Sequence, residues 1–460
     1  MSFSSDRAEI RFGCGLSPQI APPPSFDAML AGLDGPDWMA ARFPMVSPAE
    51  YWQRRAQWLA LKRQRRKASG ARADALADQT RDMNQGFRAD LLRGLGQTVL
   101  RWSGAQSGFR ERLALFWADH FTTVGKSGPQ RSAVSIYVDA AIRPHLSGRF
   151  GDLLIAAVTH PMMLAYLDQQ VSVGPQSAFA RRKGKSRGLN ENLAREVLEL
   201  HTLGVDGPYT QADVRQLAEL FTGLTIGRTG AMEFRPGWAE PGEEVVLGHR
   251  YGGNPARLEA VHRALHDLAV HPATADHVAR KLAVHFVSDA PDPGLVAHIS
   301  ARFLATGGDL RAVYAAMLEH PAAWADGPGN VKPPFDFIAS ACRALAVAPE
   351  RVETAKTGQV NRLILQPVRA MGQFWQRPNG PDGWPEADAA WITPQGLSAR
   401  LRWAMAVPRR LLADLPDPRA FVDTALGAAA PEPVRFAARA AETRAEAVGL
   451  VLSAPAFQRR

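Results

Sequence analysis

The stretch Gly188–Gly204, GLNENLAREVLELHTLG, reads as one helix, and the rest of the chain can be organised around it. Asn190 is a good N-cap, and Gly204 suits the position just past a helix end. At about 100° per residue, Leu193, Ala194, Val197, Leu198 and Leu200 share one broad arc, and His201 falls inside it. Asn192, Glu196 and Glu199 lie on the far side, roughly 140–180° from the histidine, with Glu191 and Arg195 between. His201 therefore cannot share a metal with Glu196 or Glu199 of the same helix, because two ligands on one helix must share a face.

Two readings follow from this distribution. In one, Glu191, Arg195 and Glu199 form a surface ladder of i,i+4 ion pairs, and His201 is a core histidine. In the other, neighbouring helices enclose the segment. Burial would then raise the pKa values of Glu196 and Glu199 towards those of a working general acid or base.

Outward from this segment, helical periodicity dominates the 460 residues, with apolar positions at three- and four-residue spacing and prolines and glycines between the runs. The fold class expected is mainly all-α, a large multi-helical domain with one small β-hairpin pairing 232–234 with 244–247. No GxGxxG or GxxxxGK[ST] loop is present, which disfavours dinucleotide and P-loop folds. A turn-rich stretch, 376–396, QRPNGPDGWPEADAAWITPQG, marks off a main body, 1–375, from a C-terminal helical portion, 376–460; a single domain over 1–460 is the other reading. Trp384 and Trp391 within it either cap a pocket or anchor the loop, with the anchor favoured. His-Pro pairs at 160–161, 271–272 and 320–321 read as helix starts rather than as ligands.

With 46% apolar residues the chain can bury a large core without a staple, and two cysteines, Cys14 and Cys342, build neither a disulfide framework nor a thiolate zinc site. The first residues lack the basic start and apolar run of a secretory signal, so a cytoplasmic location is expected. The net charge of +9 gathers in two places, the helical run 54–72 and the loop 181–187, RRKGKSR. The first reads as a solvated helix face. The second, with Arg181, Arg182 and Lys183, directly precedes Asn190 and is placed to attract an anion. The helix after VDGPYT carries only Arg215 as a base, too few donors for a recognition helix, so nucleic acid is not expected as a partner.

Two further segments carry chemistry. In RERLALFWADHFTTVG, 110–125, Leu113, Phe116, Trp117 and His120 form one apolar stripe, so His120 faces inward as His201 does. If the two imidazoles meet, they are suited to holding a metal or moving a proton. In HPMMLAYLDQQVS, 160–172, Asp168 closes a helix where a carboxylate is electrostatically unfavoured, a mild sign of function.

FWADHF, HPMMLAYLD, NENLAREVLELHTLGVDGPYTQADV, TGLT, HPATADHVARKLAVHFVSD and PDGW, in this order after RFGCGLSP, resemble the bacterial domain-of-unknown-function family 1800 over nearly the whole chain. The resemblance implies a mostly helical fold and no defined activity. It places weight on His120, Asp168, Asn190, Glu191, Asn192, Arg195, Glu196, Glu199 and His201. It also implies genes commonly adjacent to those of a sulfatase/alkaline-phosphatase-like protein that often carries an export signal, which makes that protein a candidate partner and export alongside it the alternative to a cytoplasmic location. Many members carry a histidine where this chain has Trp238-Ala239-Glu240, which puts a metal here in doubt.

Two functions are carried forward. The first is an enzyme performing hydrolysis or group transfer on a polar, anionic or glycan-like substrate. Glu196, Glu199, His120, His201 and Asp168 would be catalytic. Arg195, Asn190, Asn192, Glu191, Arg181, Arg182 and Lys183 would bind substrate. The second is a non-catalytic accessory or chaperone-like binding partner of the phosphatase-like protein. An enzyme requires two carboxylates and a histidine on a single solvent-reachable pocket. No cofactor is named by the residues.

Overall fold

The structure, a computed structural model, describes residues 3–183, 188–327, 329–428 and 430–460. It is mainly all-α, with two small two-stranded antiparallel sheets. The longest element, the helix Gly70–Gly104 of 35 residues, runs between two hydrophobic cores. Phe87 on it joins the first core, with Trp117, Phe150, Leu198, Phe286 and Tyr314. Leu95, Val99 and Trp102, further along, join the second with Phe337, Trp403 and Phe457. Gly94 lets the helix Gly128–Tyr137 pack closely, since a Cβ there would lie 3.0 Å from Ser135 Oγ.

The expected pairing of 232–234 with 244–247 is not what forms. Met232–Phe234 pairs with Leu224–Ile226, and Gly242–Val246 pairs with His249–Gly253. The reason is local. Leu247 and Gly248 both take positive φ, 48° and 79°, as a two-residue hairpin turn requires, so the second strand finds its partner immediately after itself.

The three His-Pro sites are N-caps. Nδ1 of His160, His271 and His320 accepts the backbone N–H of Met162, Ala273 and Ala322 at 3.1, 3.1 and 3.2 Å. The acid-rich segment is a helix of two kinds, α over Asn192–Glu196 and π over Val197–His201. Leu203 N–H donates to Leu198 O at 3.0 Å, a five-residue backbone closure, and the Thr202 hydroxyl takes up Val197 O at 2.6 Å. The other π turns, Val138–Ile142 and Asn361–Leu365, each precede a proline by two residues, whose missing N–H disturbs the four-residue ladder. Among the described residues no helix is long and apolar enough to cross a membrane.

Candidate active site

Four elements meet in one polar seam. The helix Gly108–His120 ends with Asp119 and His120. The helix Pro272–Phe286 carries His277, Lys281 and His285 at four-residue spacing, hence on one face. The π turn Val197–His201 contributes its C-terminal carbonyls, and the turn-rich strap around Gly380–Glu386 closes the seam from outside.

At the inner end the histidines act on backbone. His120 Nε2–H donates to His201 O at 3.2 Å, and His277 Nε2–H donates to Leu200 O at 3.1 Å. These carbonyls sit at a helix end, where no intrahelical donor remains for them. The rings of His120 and His201 do meet, with centroids 6.1 Å apart, and His277 lies 6.1 Å from His120. Burial holds His120 well below the usual imidazole range, His201 down to about 3 and His277 to about 4, and the Lys281 ammonium adds to each effect. All three rings are therefore neutral. Among the described residues, Nδ1 of both His120 and His201 is buried without a partner.

At the outer end lies a cleft of ≈ 130 Å³. Asp119, His285 and Glu386 line it together with Trp102, Phe335, Trp375 and Trp384. Both oxygens of Asp119 lie 3.0 Å from the Trp384 N–H. Gly383 makes this approach possible: its φ is +86°, and a Cβ on it would fall 2.5 Å from Asp119 Oδ2. Burial pushes Asp119 up to about 8, and the charge of Glu386 adds to it against the opposing pull of Lys281. Burial also acts on Glu386, but His285, Arg460 and Lys281 outweigh it and leave that carboxyl below its ordinary value. His285 Nδ1 lies 2.8 Å from Glu386 Oε1. Behind them Asp336 receives Arg112 at 2.6 Å and Arg460 at 2.5 Å. Two carboxyls on one cleft are thus driven apart, one protonated and one ionised at neutral pH.

Of the residues singled out by sequence, His120 and His201 come together at the inner end. Glu196 is half-buried. Burial, then the charges of Glu199 and Asp382, raise it to about 7. Glu199 and Glu191 flank Arg195 at 3.3 and 3.5 Å, and Arg195 also donates to Gln211 at 2.9 Å, so the surface ladder exists and occupies the guanidinium. The N-cap of this helix is Glu191 rather than the expected Asn190, which lies one residue earlier and whose Oδ1 accepts the Asn192 N–H at 2.8 Å in a local turn, while the Asn192 side chain is exposed. Asp168, left-handed at φ 58°, forms an exposed pair with Lys126 at 2.7 Å. None of Glu196, Glu199, Asp168, His120 or His201 lines the cleft. Arg181 and Arg182 are exposed at the end of a helix, Ala178–Lys183, rather than in a loop, because Ser177 Oγ accepts the Ala180 N–H at 3.2 Å and starts the turn. The side chain of Lys183 and residues 184–187 lie outside the described residues.

Sequence reasoning passed over Asp119, His285, Lys281 and Glu386. The signals were present: the HVARKLAVH spacing puts His277, Lys281 and His285 on one face, and PDGWPE sets a tight glycine turn between two acids. Trp384 lines the cleft, whereas Trp391 is buried and anchors the strap through Nε1–H to Pro385 O at 3.0 Å. Among the described residues no group of three or more His, Cys, Asp or Glu side chains is arranged to hold a metal ion.

Fold and seam together define a mainly helical protein with a carboxyl–imidazole cleft between its helices and a turn-rich strap. Over residues 16–459 the chain matches the family described as "Protein of unknown function (DUF1800)", and it belongs to that family. No curated protein and no solved structure matches it.

Proposed function

We propose that the chain is an enzyme that catalyses hydrolysis or group transfer on a polar, glycan-like substrate in the cleft of Asp119, His285 and Glu386. The observation that carries this reading is the split protonation of Asp119 and Glu386 on one cleft with His285 beside them. It also meets the requirement of two carboxylates and a histidine on one pocket. In hydrolysis, Asp119 would give its proton to the leaving oxygen as the bond to it breaks. Water would attack the same centre and lose a proton to His285 Nε2, while Glu386 holds the Nδ1–H and so fixes the tautomer. The indole faces of Trp375 and Trp384 suit the C–H face of a sugar ring. Arg101, Arg112, Arg143 and Arg460 also line the cleft, but each is committed to a carboxylate, which favours a neutral polar substrate over an anionic one.

The test is turnover of a panel of aryl glycosides and aryl esters by the purified protein, with Asp119→Asn and Glu386→Gln alongside. Activity reduced at least about 100-fold by either variant, with the fold intact by circular dichroism, supports the reading. Activity that persists in both variants sinks it.

The accessory reading, binding a sulfatase/alkaline-phosphatase-like partner, is favoured by one observation. Leu397, Leu401 and Met405, each about 40% exposed, form an apolar stripe on the helix Pro394–Ala406. A stable complex formed equally by Asp119→Asn and wild-type protein, with no turnover by either, would select it.

A further inference from the structure

A second groove, of ≈ 320 Å³, lies between the helix Gly70–Gly104, the start of the helix Gly128–Tyr137, and the π turn Asn361–Leu365 with the helix that follows it. Its polar lining is one-sided. Arg88, Arg131 and Arg369 line it, with the carboxamides of Asn84, Asn361 and Gln366, and among the described residues no carboxylate lines it. None of the three guanidiniums has an ion-pair partner among the described residues; Arg369 alone has another contact, lying over the Phe374 ring at 5.0 Å. That contrasts with the first cleft, where every lining arginine is committed to an acid. Asn84 Oδ1 already accepts the Trp58 Nε1–H at 3.0 Å, which orients its amide N–H₂ as a donor. The groove floor is apolar, with Phe87, Leu91 and Leu92.

Three like charges held around one concavity repel one another at modest cost in water, and a single anion relieves all three. Guanidinium forks and amide donors match the tetrahedral oxygens of phosphoryl and sulfuryl groups, and an apolar floor suits the organic part of such an ester. We propose that this groove is a binding site for an oxyanion ester, a phosphorylated or sulfated small molecule, separate from the Asp119 cleft. The Asn361–Leu365 π turn contributes to it directly. Its five-residue closure sets Asn361, Leu365 and Arg369 along the groove wall.

Titration calorimetry on the full chain with glucose 6-phosphate, glucose 6-sulfate and inorganic tripolyphosphate tests this. At least one of the three is expected to bind with 1:1 stoichiometry, more weakly as salt rises. The two sugar esters separate a phosphoryl from a sulfuryl preference. Arg131→Gln and Arg369→Gln should each weaken binding about tenfold, since each removes a charge-assisted contact. Arg63→Gln, on the exposed basic run of the helix Pro48–Arg65, should leave it unchanged. The lining arginines are exposed, so these variants should keep their melting temperature. Failure of all three probes to bind overturns the proposal. So does binding that Arg63→Gln weakens as much as Arg131→Gln, which would mark a diffuse surface effect. Turnover at the Asp119 cleft plays no part in the readout, so the two proposals stand or fall separately.

Discussion

Glu199 pairs with Arg195 at 3.3 Å on an accessible helix face, while Asp336 holds Arg112 at 2.6 Å and Arg460 at 2.5 Å with all three side chains buried. Both are carboxylate–arginine pairs, yet they do different work. At the surface, water screens the pair and would solvate either partner released from it. Inside, Asp336 bonds both guanidiniums, Glu386 reaches only Arg460 and at 3.9 Å, and loss of Asp336 leaves the buried Arg112 without an ion-pair partner among the described residues. The same division separates Glu196, half-buried at a rim, from Asp119, whose backbone donor and glycine neighbour fix it against the strap.

The contrast can be broken most sharply at Asp336. Asp336→Ala should cost about 3–5 kcal/mol in urea unfolding, because it leaves buried positive charge uncompensated. A loss below about 1 kcal/mol would mean that water reaches Arg112 and Arg460. His120→Phe keeps the ring shape but removes the donor to His201 O, and should cost about 1–3 kcal/mol, the penalty of an unsatisfied buried carbonyl. An unchanged midpoint would show that the histidine cluster is not a cap.

Asp119→Asn sharpens the comparison through pH. The folded-state pKa of Asp119, about 8, is above its ordinary value, so its contribution to stability is fully present at low pH and is lost as pH rises towards 8. The asparagine variant lacks that loss. Its unfolding midpoint should therefore gain on wild type between pH 5 and pH 8, and a difference that stays flat across this window would refute the raised pKa. The smallest effect belongs to the ladder. Glu199→Gln should change stability by no more than about 0.5 kcal/mol, and less in high salt, as read by the same unfolding curves.

The helices and the inward placement of His120 and His201 were legible in the sequence, because periodicity and capping act within a few residues. The His-Pro starts were legible for the same reason, although the imidazoles proved to be the caps themselves. Glu196 and Glu199 drew attention because acids crowd one helix, and crowding along a sequence says nothing about which acid lies against a distant segment. Asp119 looked ordinary beside His120. Its raised proton affinity comes first from burial and then from the charge of Glu386, more than 260 residues away along the chain, against the opposing pull of Lys281 and the Trp384 N–H.

The sequence by itself determined the helical class and which faces of the acid-rich helix and of the helix ending at His120 carry apolar residues, since these follow from backbone geometry and local hydrogen bonding. Only the tertiary structure decided which carboxyls become acid and base, and which arginines are committed and which are free. Those outcomes depend on the dielectric and the neighbours that packing supplies, and a residue acquires both only when remote segments close around it.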